Sequence, residues 1–203
     1  MKNIKSISQK GQKNLFLLDI DNTLLIPQNI YIYYKKDDIK IKHNPEQYAA
    51  LNVTKENKKY YDYSDFRNPE AIRKSIQTSI PLFNNLKIID EFVINNWELG
   101  ILTARGQENL IARITPKWIK RHLSNTFPRI KRENIFAVND EYKKHEGYTD
   151  PDKKLEVLKK YVESGKHDRI AFIDDNLFTI NLIRKYNKTL KKNKQIILIR
   201  AKC

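Results

Sequence analysis

The chain has 203 residues, of which 40% are hydrophobic and 10% aromatic, and it carries a formal net charge of +15. This composition is typical of a globular protein with one core, it excludes a disordered chain, and no apolar run is long enough to cross a bilayer. The first residues are basic but lack the apolar segment of a secretory signal, so a cytoplasmic location is the default expectation. The single cysteine, Cys203, excludes an internal disulfide and a cysteine metal cage.

Short apolar runs alternate with helical patterns along most of the chain. Five runs rich in Ile, Leu, Val and Phe predict buried strands at 15–20, 100–104, 135–138, 169–174 and 195–200. Helices are predicted between them at 82–97, 110–123, 150–165 and 175–186, with Pro116 expected to kink or divide the second. The alternation predicts one α/β domain over residues 1–203, a three-layer, Rossmann-like parallel sheet with helices on both faces.

Residues 28–80 interrupt this alternation and are expected to form a small insertion, or cap, after the first strand. A β-hairpin is predicted with strands near 30–34 and 39–42, followed by a short helix in HNPEQYAALNV and a tyrosine-rich polar stretch. Tyrosines interleaved with lysines suit a stacking, basic surface for single-stranded nucleic acid. Such tyrosines more often pack an insertion onto its domain, which is the interpretation we favour.

Polar side chains follow three of the predicted strands at their carboxyl ends: Asp19 and Asp21, Thr103 and Arg105, and Asp174 and Asp175. Ligands of open parallel sheets bind outside the carboxyl ends of the strands, so these side chains are expected to converge. Four converged carboxylates repel one another unless a cation lies among them. Mg²⁺ fits such a site because it is a hard ion that prefers oxygen ligands.

Taken in order, these segments resemble the four motifs of the haloacid dehalogenase superfamily of phosphotransferases. Motif one, DxDxT, corresponds to residues 19–23, and motif two, an apolar strand that ends in Ser or Thr, corresponds to GILTARG. Motif three, a lysine that opens a helix, falls in DPDKKLEVLKKY, and motif four, paired acids after a strand, is AFIDDN. The resemblance covers most of residues 14–185 and leaves the insertion largely unassigned.

The resemblance implies a Mg²⁺-dependent phosphomonoester hydrolase that works through an aspartyl-phosphate intermediate. Asp19 is then the nucleophile, and Asp21 protonates the leaving alkoxide and later activates water. If the strand stays extended, Asp21 lies on the same face as Asp19. The implied metal ligands are the side chain of Asp19, the backbone carbonyl of Asp21, Asp174, and Asp175 either directly or through a water molecule.

Phosphate binding is implied for Thr103, for one lysine of motif three and for Arg105, whose alternative role is to cap its loop. The candidate lysines, Lys153 and Lys154, are adjacent and point about a third of a turn apart, so only one faces the site. We predict Lys154, because residues of the buried apolar stripe follow it three and four positions later.

Three functions stay open at this point. The first is a phosphatase acting on a small phosphorylated molecule, the second is the same chemistry on the 3′-phosphate of a nucleic-acid end, and the third is a non-catalytic basic binding protein. The positive charge favours a nucleic-acid partner. However, lysine greatly outnumbers arginine, which is also what an A/T-rich genome encodes, and arginine binds phosphate better because its guanidinium donates two parallel hydrogen bonds. We therefore favour genome composition over nucleic-acid binding as the explanation of the charge. No membrane partner is expected.

Overall fold

The computed structural model describes residues 12–37, 39–51, 53–54, 56–123, 130–141 and 148–202. Strands in these residues are β1 (Asn14–Leu18), β2 (Leu25–Ile26), β3 (Ile32–Lys36), β4 (Ile39–His43), β5 (Tyr61–Asp62), β6 (Ile80–Pro81), β7 (Glu98–Thr103), β8 (Ile135–Ala137), β9 (Arg169–Asp174) and β10 (Ile197–Arg200). Helices are α1 (Pro45–Ala49), α2 (Pro69–Gln77), α3 (Phe83–Ile94), α4 (Glu108–His122), α5 (Val138–Glu141), α6 (Asp150–Ser164) and α7 (Leu177–Asn187).

Five strands form one parallel sheet in the order β10-β9-β1-β7-β8. All five predicted strands are present, and the predicted α/β class with a Rossmann-like parallel sheet is confirmed. After β1, the chain adds β7 and β8 on one side of it, and later adds β9 and β10 on the other side. Because the strand order reverses at β1, the carboxyl ends of these three strands border the crevice where parallel sheets bind ligands.

Apolar side chains of β1 alternate between two cores, one on each face of the sheet. Phe16 and Leu18 pack with the buried residues of α2, α3 and α4, whereas Leu15 and Leu17 pack with those of α6 and α7. Helices therefore cover both faces, as predicted. Among the described residues, no helix combines the length and apolar character that a membrane span requires.

Pro116 and Gly165 affect two of these helices differently. Pro116 lies inside α4, which continues through it as one helix, so Pro116 does not divide the helix, and the alternative of a kink stays a prediction. Thr149 caps the start of α6 in a reciprocal capping box, and Gly165 ends it with a left-handed φ of 61°. These two caps fix the start and the end of the helix that carries motif three.

The insertion at 28–80 begins and ends where β2 pairs antiparallel with β6. The predicted hairpin is confirmed, because β3 pairs antiparallel with β4, and β5 adds a third strand beside β3. Helix α2, which the sequence pattern did not indicate, buries Ile72 and Ile76 in the same core as α3 and α4. Part of the insertion is therefore built into the main domain.

The tyrosines of the insertion pack largely against one another. The ring of Tyr61 lies 5.1 Å from that of Tyr34 and 5.2 Å from that of Tyr48, and Tyr48 also packs edge-to-face on Tyr63 at 5.6 Å. Ring pairs at these separations stabilise a small sheet that has little aliphatic core of its own. These contacts lie within the insertion, so the role that we favoured from the sequence, packing of the insertion onto its domain, stays a prediction.

Candidate active site

The candidate site lies at the carboxyl edge of the three central strands. Asp19 follows the last residue of β1, and its backbone N–H donates to the carbonyl of Ile173 at 3.1 Å, which ties it to the end of β9. Thr103 is the last residue of β7, and Asp174 is the last residue of β9. The sheet thus brings one member of each predicted motif on these strands to the same edge.

Motif three joins this edge through Lys154, which is buried. The Nζ atom of Lys154 lies 2.8 Å from Asp19 Oδ1 and 2.8 Å from Asp174 Oδ2. Burial alone would lower the pKa of Lys154, but the carboxylates of Asp174 and Asp19 outweigh it and raise that pKa above its ordinary value. Lys154 is therefore a fixed positive charge between two carboxylates.

Lys153, the alternative lysine, is directed elsewhere. Its Nζ donates to Asn139 Oδ1 at 2.7 Å and lies 3.7 Å from Asp150. The amide of Asn139 in turn donates to the carbonyl of Ala104, next to Thr103. Lys154, which we predicted from the apolar stripe of α6, therefore contacts the carboxylates. Lys153 contacts Asn139, which is hydrogen-bonded to the loop after β7.

Three carboxylates converge beside Lys154. One oxygen atom each from Asp19, Asp174 and Asp175 lies within 4.8 Å of the others. Burial raises the pKa of Asp19 well above its usual value, with Lys154 opposing the shift and the charges of Asp174 and Asp175 adding to it. Burial and the neighbouring Asp174 raise the pKa of Asp175 to about 6. Both raised pKa values indicate that negative charges lie close together in a poorly solvated part of the protein.

The donor set fits a divalent cation. Three carboxylate oxygens within 4.8 Å of one another, beside the ammonium of Lys154, leave negative charge that a hard cation would neutralise. Asp19, Asp174 and Asp175 are the side chains that would hold it. The backbone carbonyl of Asp21, the fourth ligand that the resemblance implies, stays a prediction.

Asp21 is not one of the three carboxylates within 4.8 Å of one another, but its charge adds to the raised pKa of Asp175, and its side chain contacts Arg105. β1 ends at Leu18, and the chain turns at residues 22–24, where Asn22 has a left-handed φ of 54°. This turn comes after Asp21, so the shared strand face of Asp19 and Asp21 stays a prediction. Arg105 contacts both oxygens of Asp21: it donates from Nε to Asp21 Oδ2 at 2.8 Å and from Nη2 to Asp21 Oδ1 at 2.6 Å.

The guanidinium of Arg105 is buried, and its N–H groups form hydrogen bonds with other residues of the protein. In addition to Asp21, Nη2 donates to Ser75 Oγ at 3.0 Å, and Nη1 lies 3.5 Å from the carbonyl of Ile72. Ser75 and Ile72 belong to α2, so this arginine links the insertion to Asp21. The geometry favours a positioning role for Arg105 over the predicted contact with substrate phosphate.

No protein-family model and no curated protein sequence matches this chain.

Two threonine hydroxyls complete the site. Thr103 Oγ1 accepts the backbone N–H of Arg105 at 3.3 Å, which leaves its own proton for another acceptor. Thr23 Oγ1 accepts the N–H of Asp175 at 3.1 Å and lies 3.5 Å from Asp19 Oδ2, so it ties motif one to motif four. Asp174 Oδ1 accepts the N–H of Asn176 at 2.7 Å. The carboxylates are thus oriented before any ligand binds.

The insertion docks beside this site on the loop between β7 and α4. The N–H of Gly106 donates to the carbonyl of Phe66 at 3.0 Å, and Gln107 Nε2 donates to the carbonyl of Arg67 at 3.1 Å. A Cβ at Gly106 would stand 3.2 Å from both Arg67 Cγ and Asp140 Oδ1, so glycine permits this close approach. The sequence patterns gave no signal for this docking or for Ser75.

Proposed function

We propose that this chain is a Mg²⁺-dependent phosphomonoester hydrolase of the haloacid dehalogenase type, which acts through an aspartyl-phosphate intermediate on a phosphorylated substrate. The observation that carries the proposal is the convergence of Asp19, Asp174 and Asp175 within 4.8 Å beside the buried ammonium of Lys154. Positioning and charge neutralisation are the main demands of phosphoryl transfer, and this cluster provides groups for both.

Asp19 is the proposed nucleophile. Lys154 holds one of its carboxylate oxygens at 2.8 Å, and Thr23 lies beside the other at 3.5 Å, so the carboxylate has a defined orientation at the sheet edge. Bound Mg²⁺ supplies positive charge that keeps these carboxylates ionised and offsets the charge of the phosphoryl oxygens. An oxygen of Asp19 then attacks phosphorus, and the bond from phosphorus to the leaving alkoxide breaks.

Asp21 is the proposed acid and base. In the first step its protonated carboxyl gives a proton to the leaving alkoxide, and in the second its carboxylate takes a proton from the water that attacks phosphorus. The bond from phosphorus to Asp19 then breaks and inorganic phosphate leaves. The side chain of Asp21 is 21% exposed, so substrate and water reach it, while the buried fork of Arg105 fixes its direction.

Thr103 and Lys154 are the proposed groups for the phosphoryl oxygens. Thr103 Oγ1 accepts a hydrogen bond from the backbone N–H of Arg105, so its hydroxyl can donate its proton to a phosphoryl oxygen. The ammonium of Lys154 has three donor hydrogens, of which two point to Asp19 and Asp174. Both groups lie on the edge that carries Asp19, as in-line attack on a bound phosphate requires.

Hydrolysis of p-nitrophenyl phosphate in the presence of Mg²⁺ tests the proposed function. We expect turnover by the native chain, no turnover by Asp19→Asn, and near-native turnover by Asp150→Asn, a matched change at a residue that contacts Lys153 rather than Lys154. Absence of turnover with every metal and every phosphomonoester in a broad panel would contradict the proposal. In that case a non-catalytic role on the same fold would be the better account.

A further inference from the structure

A groove of 690 Å³ opens beside the proposed active site, along the outer side of α7. It begins at the amino-terminal ends of α6 and α7, which lie at the carboxyl edge of the sheet, and it extends to the residue after α7. Its lining residues are Thr149, Pro151, Asp152, Asn176, Phe178, Asn181, Leu182, Arg184, Lys185 and Lys188. Asn176 follows the carboxylates of motif four directly in the chain, so one end of the groove lies next to the site.

The far half of the groove is positively charged. Arg184, Lys185 and Lys188 are all exposed, and in the part of the chain that the structure describes none of them forms an ion pair with a carboxylate. Among the described residues, Arg184 donates from Nη1 to the amide oxygen of Asn181 at 2.9 Å. The one carboxylate in the lining, Asp152, is occupied by the N–H and the hydroxyl of Thr149. The groove therefore presents unpaired cations to solvent.

The near half of the groove carries an exposed aromatic ring. Phe178 is 80% exposed although it lies only four residues after Asp174. A phenylalanine ring open to water beside a polar site has little folding role, since burial is what makes such a ring stabilising. Its face is suited to stack with a planar group of a ligand, and every nucleic-acid base offers such a face.

The spacing of these groups along α7 matches a chain of phosphates better than a single small ligand. With a rise of about 1.5 Å per residue, Arg184 lies about 9 Å and Lys188 about 15 Å from Phe178 along the helix. A polyanion that starts at the carboxylate site would pass the ring first and then the cations. A small phosphomonoester, which has one phosphate group, would use the site alone.

We propose that this groove binds the terminal nucleotides of a single-stranded nucleic acid whose end phosphate enters the carboxylate site. The terminal base stacks on Phe178, and the following backbone phosphates lie near Arg184, Lys185 and Lys188. The substrate class rests on the proposed phosphatase function, whereas the strand-binding groove is a separate property of the chain.

The hairpin of the insertion offers lysines and tyrosines as well, but its ring faces are less free. Lys42 Nζ lies 3.4 Å from the centre of the Tyr31 ring, and Lys40 lies 5.3 Å from that of Tyr33. These cations occupy the faces on which bases would stack. The groove on α7 is therefore the better strand-binding surface.

Binding is tested without turnover, so that its failure is separate from failure of the catalytic proposal. A fluorescent single-stranded hexanucleotide with a 3′-phosphate is titrated into the full chain carrying Asp19→Asn, over a range of salt concentrations. Phe178→Ala is expected to weaken binding about tenfold, in line with loss of one stacked base. Arg184→Gln combined with Lys188→Gln is expected to reduce the salt slope by about 1.4, at about 0.7 per lost phosphate contact.

Matched controls are Arg113→Gln combined with Lys117→Gln, which remove equal charge from α4, and a polyglutamate peptide of the same charge as the oligonucleotide. The proposal is supported if the α7 changes weaken oligonucleotide binding and the α4 changes do not. It is overturned if both pairs weaken binding equally, if Phe178→Ala has no effect, if the peptide binds as tightly, or if a free nucleoside 3′,5′-bisphosphate competes as well as the oligonucleotide.

Turnover separates the two proposals. If the native chain hydrolyses p-nitrophenyl phosphate but binds no oligonucleotide through this groove, the groove proposal fails and the phosphatase proposal stands. If the chain binds the oligonucleotide through the groove but hydrolyses no phosphomonoester, the phosphatase proposal fails and the groove proposal stands. If both hold, Phe178→Ala is expected to raise the KM for the 3′-phosphorylated oligonucleotide and to leave the kinetics with p-nitrophenyl phosphate unchanged.

Discussion

Arg105 and Asp21, which are 84 residues apart in the sequence, are joined by two hydrogen bonds in a fork-to-carboxylate arrangement. The guanidinium is buried, and Ser75 of α2 accepts a further hydrogen bond from it at 3.0 Å. A bidentate pair of this kind fixes the orientation of the carboxylate in addition to balancing its charge. The insertion is thereby connected to the proposed acid and base through one side chain.

Arg105→Lys is expected to lower kcat because lysine keeps the charge but loses the planar fork that orients Asp21. Misplacement of a catalytic group by about 1 Å costs about 100-fold in rate, which sets the scale of the loss. The loss of kcat should be larger with an alkyl phosphate than with p-nitrophenyl phosphate, because an alkoxide is a poorer leaving group and depends more on the proton from Asp21. Steady-state kinetics with both substrates measures the difference.

Ser75→Ala is the control for Arg105→Lys, since it removes one contact of the guanidinium and leaves both contacts with Asp21. Its kinetics should stay close to native. If Arg105→Lys instead raises KM for both substrates with kcat unchanged, Arg105 binds substrate phosphate and the positioning role is wrong.

Lys154→Met is expected to abolish turnover and to lower stability, because it leaves Asp19 and Asp174 buried without their cation. Removing one partner of a buried ion pair costs about 3 to 5 kcal/mol. Lys153→Met is the matched control, because this neighbour contacts Asn139 and Asp150 and its side chain is 12% exposed. Thermal unfolding and turnover of the two variants should differ clearly, and equal losses would contradict the assignment of motif three.

Mg²⁺ is expected to raise the unfolding temperature of the native chain, since an ion that binds only the folded state stabilises it by mass action. The shift should disappear in Asp174→Asn and persist in Asp150→Asn, whose side chain is 49% exposed and lies outside the carboxylate cluster. Thermal shift measured with and without a chelator checks this. A native chain that shows no shift at millimolar Mg²⁺ would refute the proposed metal centre.

Gly100→Ala is expected to destabilise the fold by about 1 to 3 kcal/mol, the usual cost of overpacking a core. A Cβ at this position would lie 2.5 Å from the backbone oxygen of Asn134 and 2.7 Å from Leu17 Cδ2. Gly165→Ala has open space around it and meets only the strain of its φ of 61°, so it should cost less. Chemical denaturation ranks the two variants, and the reverse order would contradict the packing of β7 against residue 134.

The sequence predicted those parts of the site that depend on strand ends and helix periodicity. Apolar runs located β1, β7 and β9, and the rule that parallel sheets bind ligands at their carboxyl ends placed Asp19, Thr103 and Asp174 together. The apolar stripe of α6 separated Lys154 from Lys153. These features follow from local patterns that each element carries within its own sequence.

The partners of Asp21 and Arg105 were not predictable in the same way. Their pairing lies between a turn that begins at Asn22 and a helix of the insertion that presents Ser75. Neither has a periodic signal in the sequence. Contacts that depend on how an insertion docks are set by tertiary packing, so only the structure defines them.

The most direct test of the catalytic proposal is to look for phosphate on Asp19. The native chain is mixed with a radiolabelled phosphomonoester and Mg²⁺, quenched in acid within one turnover and mapped by peptide mass. We predict label on the peptide that contains Asp19, lability to hydroxylamine as for an acyl phosphate, and no label in Asp19→Asn. Turnover without any labelled protein, or label that persists in Asp19→Asn, would contradict the account.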